Sequence, residues 1–210
     1  MRAAKINTEL RQEQIIEAAM SLIVSEGFSN LSIAGIAARV GIVPSALYRH
    51  YPSKEAVLGA VLEHLRLRML GNVKAVCLES PLALERLRLL LVRHMSMLVG
   101  TPALTPIVFA HFSQAANVER WSGLRDTVYA YLQEVARIIE QGQADGTICS
   151  EISSSTAAMM FIGLIFPAVM LHKLSGGDFD PMQQINAAWP VFRRGLTAGC
   201  QDKMPGSKQA

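Results

Sequence analysis

Cysteine is scarce in this 210-residue chain: Cys77, Cys149 and Cys200 stand far apart and are odd in number. No Cys-x-x-Cys pair or Cys/His ligand spacing occurs, which argues against a structural zinc and leaves buried, reduced thiols as the expectation. An apolar leader is also missing at the amino terminus, so a cytoplasmic chain is expected. The longest uncharged apolar stretch, Ala157 to Leu171, has fifteen residues and is interrupted by Pro167. About twenty are needed to cross a bilayer as a helix. It is read instead as a helix buried on both sides inside a soluble protein, with no membrane partner. No nucleophile elbow, Walker loop or dinucleotide fingerprint appears, and Ser153-Ser154-Ser155 reads as a helix start rather than a catalytic set. No enzyme, cofactor or metal is therefore expected. His94 and His111 lack a carboxylate or cysteine at ligand spacing. An excess of one charge is lacking too. The net charge is +3, and residues 1–55 carry six Lys or Arg against five Glu. Charge alone does not point to nucleic acid.

What the chain has is apolar content and helical spacing. Half of it is hydrophobic and 18% charged, enough to fold around a real core. No strand pattern or repeat stands out, so the class is all-α. The stretch from Gly41 to Glu55 organises the rest. Gly41 suits the left-handed position that ends a helix, and Pro44 the first turn of the next. Pro52 denies helical geometry to Tyr51, which limits that second helix to about two turns. Ser53 is placed to cap a third, starting at Lys54 and Glu55. A helix this short, carrying Ser45, Tyr48, Arg49 and His50, buries little but fits a DNA major groove.

Taken in order, Met1 to Thr8 reads as a polar arm. Residues 9–26 place Ile16, Ala19, Leu22 and Ile23 on one helical face. Phe28 follows Gly27 as the expected aromatic anchor of a small core. Ser32 caps Ile33 to Val40, with Ile33, Ile36, Ala37 and Val40 inward, and Leu47 docks the short helix onto this pair. Long helices follow: Ala56 to about Leu78, one opened by Pro81, Ile107 to Ala116, one from Trp121 to about Gly142, Ser153 to Lys173, and Met182 to Gly199. Gly100 to Pro106 reads as a break, and Gly71 as a weak point. The expected division is a helix-turn-helix domain over 1–53, a larger helical domain over 54–200, and a disordered tail over 201–210.

The run Ile16-x-x-Ala19, Gly27-Phe28, Ser32-Ile33-x-x-Ile36-Ala37, Gly41, Leu47-Tyr48-x-x-Tyr51-x-Ser53-Lys54-Glu55 resembles the amino-terminal domain of TetR-family transcriptional regulators. The resemblance covers about the first quarter of the chain. Val43 and Leu31 depart from it, standing where the family often has a hydroxyl residue. It implies a ligand-responsive, DNA-binding regulator that is released as a repressor from a palindromic operator. A ligand-independent DNA-binding regulator is the alternative, with an all-helical enzyme as the rival class.

In that reading Tyr48, His50 and Lys54 contact phosphates, Ser32 lies at the start of the second helix, and Pro44, Ser45 and Arg49 face base edges. A helix apolar on every face needs a second partner besides its own domain. The resemblance implies that the last two helices pair with those of a second copy in a homodimer. The candidate dimer residues are Met160, Gly163, Leu164, Pro167, Met170, Trp189 and Phe192. Met95, His94, Phe109, His111, Phe112, Phe161 and Phe166 are candidates for an apolar effector cavity with a few polar handles. No acidic residue lies between Leu87 and Ala116, which favours a small hydrophobic effector, neutral or weakly anionic.

Overall fold

The computed structural model describes the backbone of residues 2–113 and 122–198, and their side chains except at 2–7, 109, 111–113 and 122. Among these residues the protein is helical, with no strand. Helices α1 (Arg2–Glu26), α2 (Ile33–Val40) and α3 (Pro44–Leu47) are followed by α4 (Lys54–Glu79), α5 (Ala83–Gly100) and α6 (Leu104–Ser113). Then come α7 (Ser122–Ala144), α8 (Ser154–Leu174) and α9 (Pro181–Thr197). They form two compact units. One holds 2–68, 101–113 and 122–127; the other holds 69–100 and 128–198.

In the first unit α1 packs on α2, and α2 on α3. The stripe that α1 buries is Ile15, Ala19, Leu22 and Ile23. Ile16, expected inward, is half-buried at the edge of that stripe, as are Ile33 and Val40 on α2 and the anchor Phe28. The expected polar arm is also helix, since α1 runs back to Arg2. Arg39 on α2 ties the pair together: its guanidinium donates to Ser21 Oγ at 2.6 Å and pairs with Glu26 at 3.2 Å. α6 starts at Leu104, so Pro106 lies inside its first turn, where a missing N–H costs nothing. The break before it is correspondingly shorter than expected. Arg68 at the unit's edge donates to the buried Thr101 hydroxyl at 3.1 Å.

The second unit encloses Leu87, Leu91 and Met95 of α5, Tyr131, Val135 and Ile139 of α7, and Phe161 and Ile165 of α8. α9 adds Ile185 and Phe192. α4 continues through Gly71 without interruption, and α7 runs past Gly142 to Ala144. Gly142 is there for closeness. A Cβ built on it would lie 2.6 Å from Ile148 Cδ1 and 2.9 Å from Ala83 Cβ. Gly142→Ala should therefore overpack this corner and lower stability by about 1–3 kcal/mol, read as a fall in urea midpoint.

α8 corrects the sequence reading twice. It is unbroken at Pro167, because a good cap and a packed face outweigh one lost hydrogen bond: Ser153 Oγ accepts from Thr156 N–H, and Phe161, Ile165, Ala168 and Val169 are buried. It has 21 residues, and an 18-residue window within it has a mean hydropathy of 1.8, so it is long and apolar enough to cross a membrane. Nor is it buried on both sides. Met159, Met160, Phe166, Leu171 and Leu174 are exposed along its outer face. The tail at 201–210, Cys200 and Trp121 lie outside the described residues.

Candidate nucleic-acid interface

The turn between α2 and α3 is built by local chemistry. Ser32 Oγ accepts from Gly35 N–H at 3.1 Å and fixes the start of α2. Gly41 closes that helix with φ 75°, in the left-handed region, and Ile42 N–H reaches back to Ala37 O at 3.0 Å. α3 has one α-helical turn with Pro44 at its first position. After Leu47 the chain tightens: His50 and Tyr51 N–H both donate to Leu47 O, at 2.8 and 3.0 Å. Pro52 follows, and Ser53 Oγ accepts from Ala56 N–H at 3.1 Å to begin α4. The expected caps at Ser32 and Ser53 are both present.

Leu47 is fully buried and fixes the rotation of α3. At about 100° per residue, Ser45 and Arg49 lie opposite it, Tyr48 lies about a quarter turn from it, and Pro44 stands nearer to it at the leading end. All four are exposed, Tyr48 to 52%. His50 and Lys54 are half-buried beside them, and Ser32 is exposed at the head of α2. Thus the seven expected DNA contacts lie along one run of α2, α3 and the start of α4. Tyr51 is half-buried, and burial raises its phenol pKa, as suits a packing residue.

Of the candidate effector residues, those in the second unit divide between its core and its surface. Met95, His94 and Phe161 are buried in the second unit. His94 Nδ1 lies 2.8 Å from the Tyr131 hydroxyl, with the rings edge to face at 4.9 Å. Burial pushes the His94 pKa down to about 4 and that of Tyr131 upward, so both stay neutral near pH 7. The expected free handle thus already has a partner. Phe166 is 39% exposed on the outer face of α8, not inside. Phe109, His111 and Phe112 belong to α6, but their side chains lie outside the described residues.

Of the candidate dimer residues, Met160, Gly163 and Pro167 are exposed and Leu164, Met170 and Trp189 half-buried. Phe192 is a core residue, 5.9 Å between ring centroids from Phe161, because α9 turns it into its own unit. An open apolar groove of about 670 Å³ runs between α8 and α9, lined by Met160, Leu164, Ala188 and Val191 among others.

Residues 15–61 match the family model of bacterial regulatory proteins, tetR family. The nucleoid occlusion factor SlmA of Yersinia enterocolitica is 29% identical over 197 residues, spanning 90% of this chain and 97% of that protein. A TetR transcription regulator from Haloarcula marismortui has the same fold, with a TM-score of 0.77, 20% identity and coverage of 90% of this chain and 98% of that one. So does a transcriptional regulator FadR from Bacillus subtilis in complex with stearoyl-CoA, with a TM-score of 0.71, 24% identity and coverage of 89% and 98%. The helix-turn-helix over residues 15–61 is thus a domain of the tetR family of bacterial regulatory proteins, and the chain as a whole shares the fold of a TetR transcription regulator.

Proposed function

We propose that the protein is a cytoplasmic, homodimeric repressor, not an enzyme, that leaves a palindromic operator when a small apolar effector binds. The observation that carries the DNA part is the outward face of α3, exposed on Ser45, Tyr48 and Arg49 and held by the buried Leu47. One short helix reads too few bases, so two copies address two half-sites about one or more helical turns apart. The exposed apolar face of α8 and the groove beside α9 support that pairing. α4 is one continuous helix that begins at Lys54 beside α3 and enters the second unit at Met69. It is the natural element through which an effector biases α3. A coupling of about 1–3 kcal/mol alters operator affinity roughly 5- to 150-fold, provided the effector binds the two arrangements unequally.

The test is a gel shift on DNA upstream of the protein's own gene, repeated with small apolar molecules such as long-chain fatty acids and sterols. Release by one of them is the expected result. A second reading, a DNA-binding factor without an effector, is favoured by the likeness to the nucleoid occlusion factor over almost that protein's whole length. A complex that ignores every such molecule supports it over the first. Tyr48→Ala and Lys54→Ala are expected to weaken binding to all sequences alike and to flatten the slope of log affinity against log salt, by about one where a charged contact is lost. Unchanged affinity in Tyr48→Ala across a salt series removes α3 from the interface.

A further inference from the structure

Between two well-capped helices, α3 starts without a cap. α2 begins on the Ser32 hydroxyl and α4 on that of Ser53. At the same position α3 has Val43, in extended geometry with φ −78° and ψ 148°, and no side chain accepts from its first N–H groups. Valine is among the poorest residues at an N-cap. Burial offers no compensation, since Val43 is 60% exposed and Leu47 fills the inward position. Pro44, the next residue, is exposed as well and has no N–H to offer. A local rule broken with no gain inside the free protein points to a gain made with a partner.

The place of this pair limits what that gain is. Val43 and Pro44 form the leading end of α3, next to Ser45, and both are exposed. Neither side chain donates or accepts a hydrogen bond, so neither reads the polar edges of guanine, cytosine or adenine. The major-groove edges of the four base pairs offer one apolar group, the C5-methyl of thymine. We propose that Val43, with Pro44 beside it, is a specificity-determining contact that seats a thymine methyl at one position of each half-site. This rests on α3 being the DNA-reading helix. It divides the work along α3: methyl recognition at the leading end, and polar or phosphate contacts from Ser45, Tyr48 and Arg49 behind it.

The experiment uses the full chain. A bound duplex is first selected from random DNA. Each thymine is then replaced singly by deoxyuridine, which removes only the methyl, and affinities are measured at fixed salt for the parent and for Val43→Ser. For the parent, one thymine per half-site should weaken binding about four-fold when replaced, as expected for withdrawing one methyl from an apolar contact. Replacing both should give about sixteen-fold. In Val43→Ser, which supplies the missing cap and should melt no lower than the parent, those same replacements should change affinity by less than two-fold. Parent affinities that are uniform across all deoxyuridine probes overturn the assignment while leaving specific DNA binding intact. So does a methyl effect that persists in Val43→Ser, or a variant that melts lower, which makes Val43 a packing residue. If no duplex is selected over random DNA, the DNA reading of α3 fails, and this assignment with it.

Discussion

Gly163→Glu should turn a dimer into a folded monomer that binds its operator at least about 100-fold more weakly. Gly163 is exposed on α8, and a Cβ added there meets nothing within 4 Å. Its φ is not among the positive glycine values, and replacing a mid-helix glycine improves helix propensity by a fraction of a kcal/mol. The single chain therefore has no reason to lose stability. In the proposed assembly the same position faces a second apolar surface, beside Met159 and Met160, which are 58% and 61% exposed in the free chain. An unpaired carboxylate buried there costs several kcal/mol, more than enough to separate subunits at micromolar concentration. Loss of the dimer also removes the second half-site from each binding event. Sedimentation and circular dichroism together give the answer. A variant that stays dimeric and binds DNA like the parent places the interface elsewhere on the molecule.

Acid should destabilise the second unit well before its carboxylates are protonated. An exposed histidine takes up a proton near pH 6.5, whereas burial holds His94 neutral until about pH 4. Between those values the unfolded chain binds more protons than the folded one, so stability rises with pH across the window. The contribution is complete above pH 6.5 and lost as pH falls towards 4, reaching about 3 kcal/mol. Urea unfolding at fixed protein concentration, compared at pH 7 and pH 5, reads about half of it. The double replacement His94→Leu with Tyr131→Phe removes both members of the 2.8 Å hydrogen bond and leaves no orphan. It should flatten this part of the pH profile. A parent whose stability is level from pH 7 to pH 5 shows that His94 is hydrated or already charged.

The helix-turn-helix was legible because its signals are local. Ser32 capping Gly35, Gly41 in the left-handed region and Ser53 capping Ala56 each involve atoms within a few residues of each other. Leu47 was legible too, as the apolar residue of α3 best placed to dock on α2. The second unit offered less. α8 is apolar around most of its circumference, so periodicity cannot separate the face carrying Phe161 and Ile165 from the face carrying Met160 and Phe166. The partners of Arg39 and His94 lie 13–18 and 37 residues away in sequence, beyond any local pattern.

By itself, then, the sequence determined the all-α class, most helix starts and the turn chemistry from Gly41 to Lys54, because backbone hydrogen bonding and steric limits act over one to four residues. Only the tertiary structure decided that Phe192 turns inward, that Phe166 turns outward, and that His94 is already engaged by Tyr131. Those outcomes depend on which apolar faces meet when the helices pack, and side chains of similar hydrophobicity hold no record of that choice until a neighbour covers them.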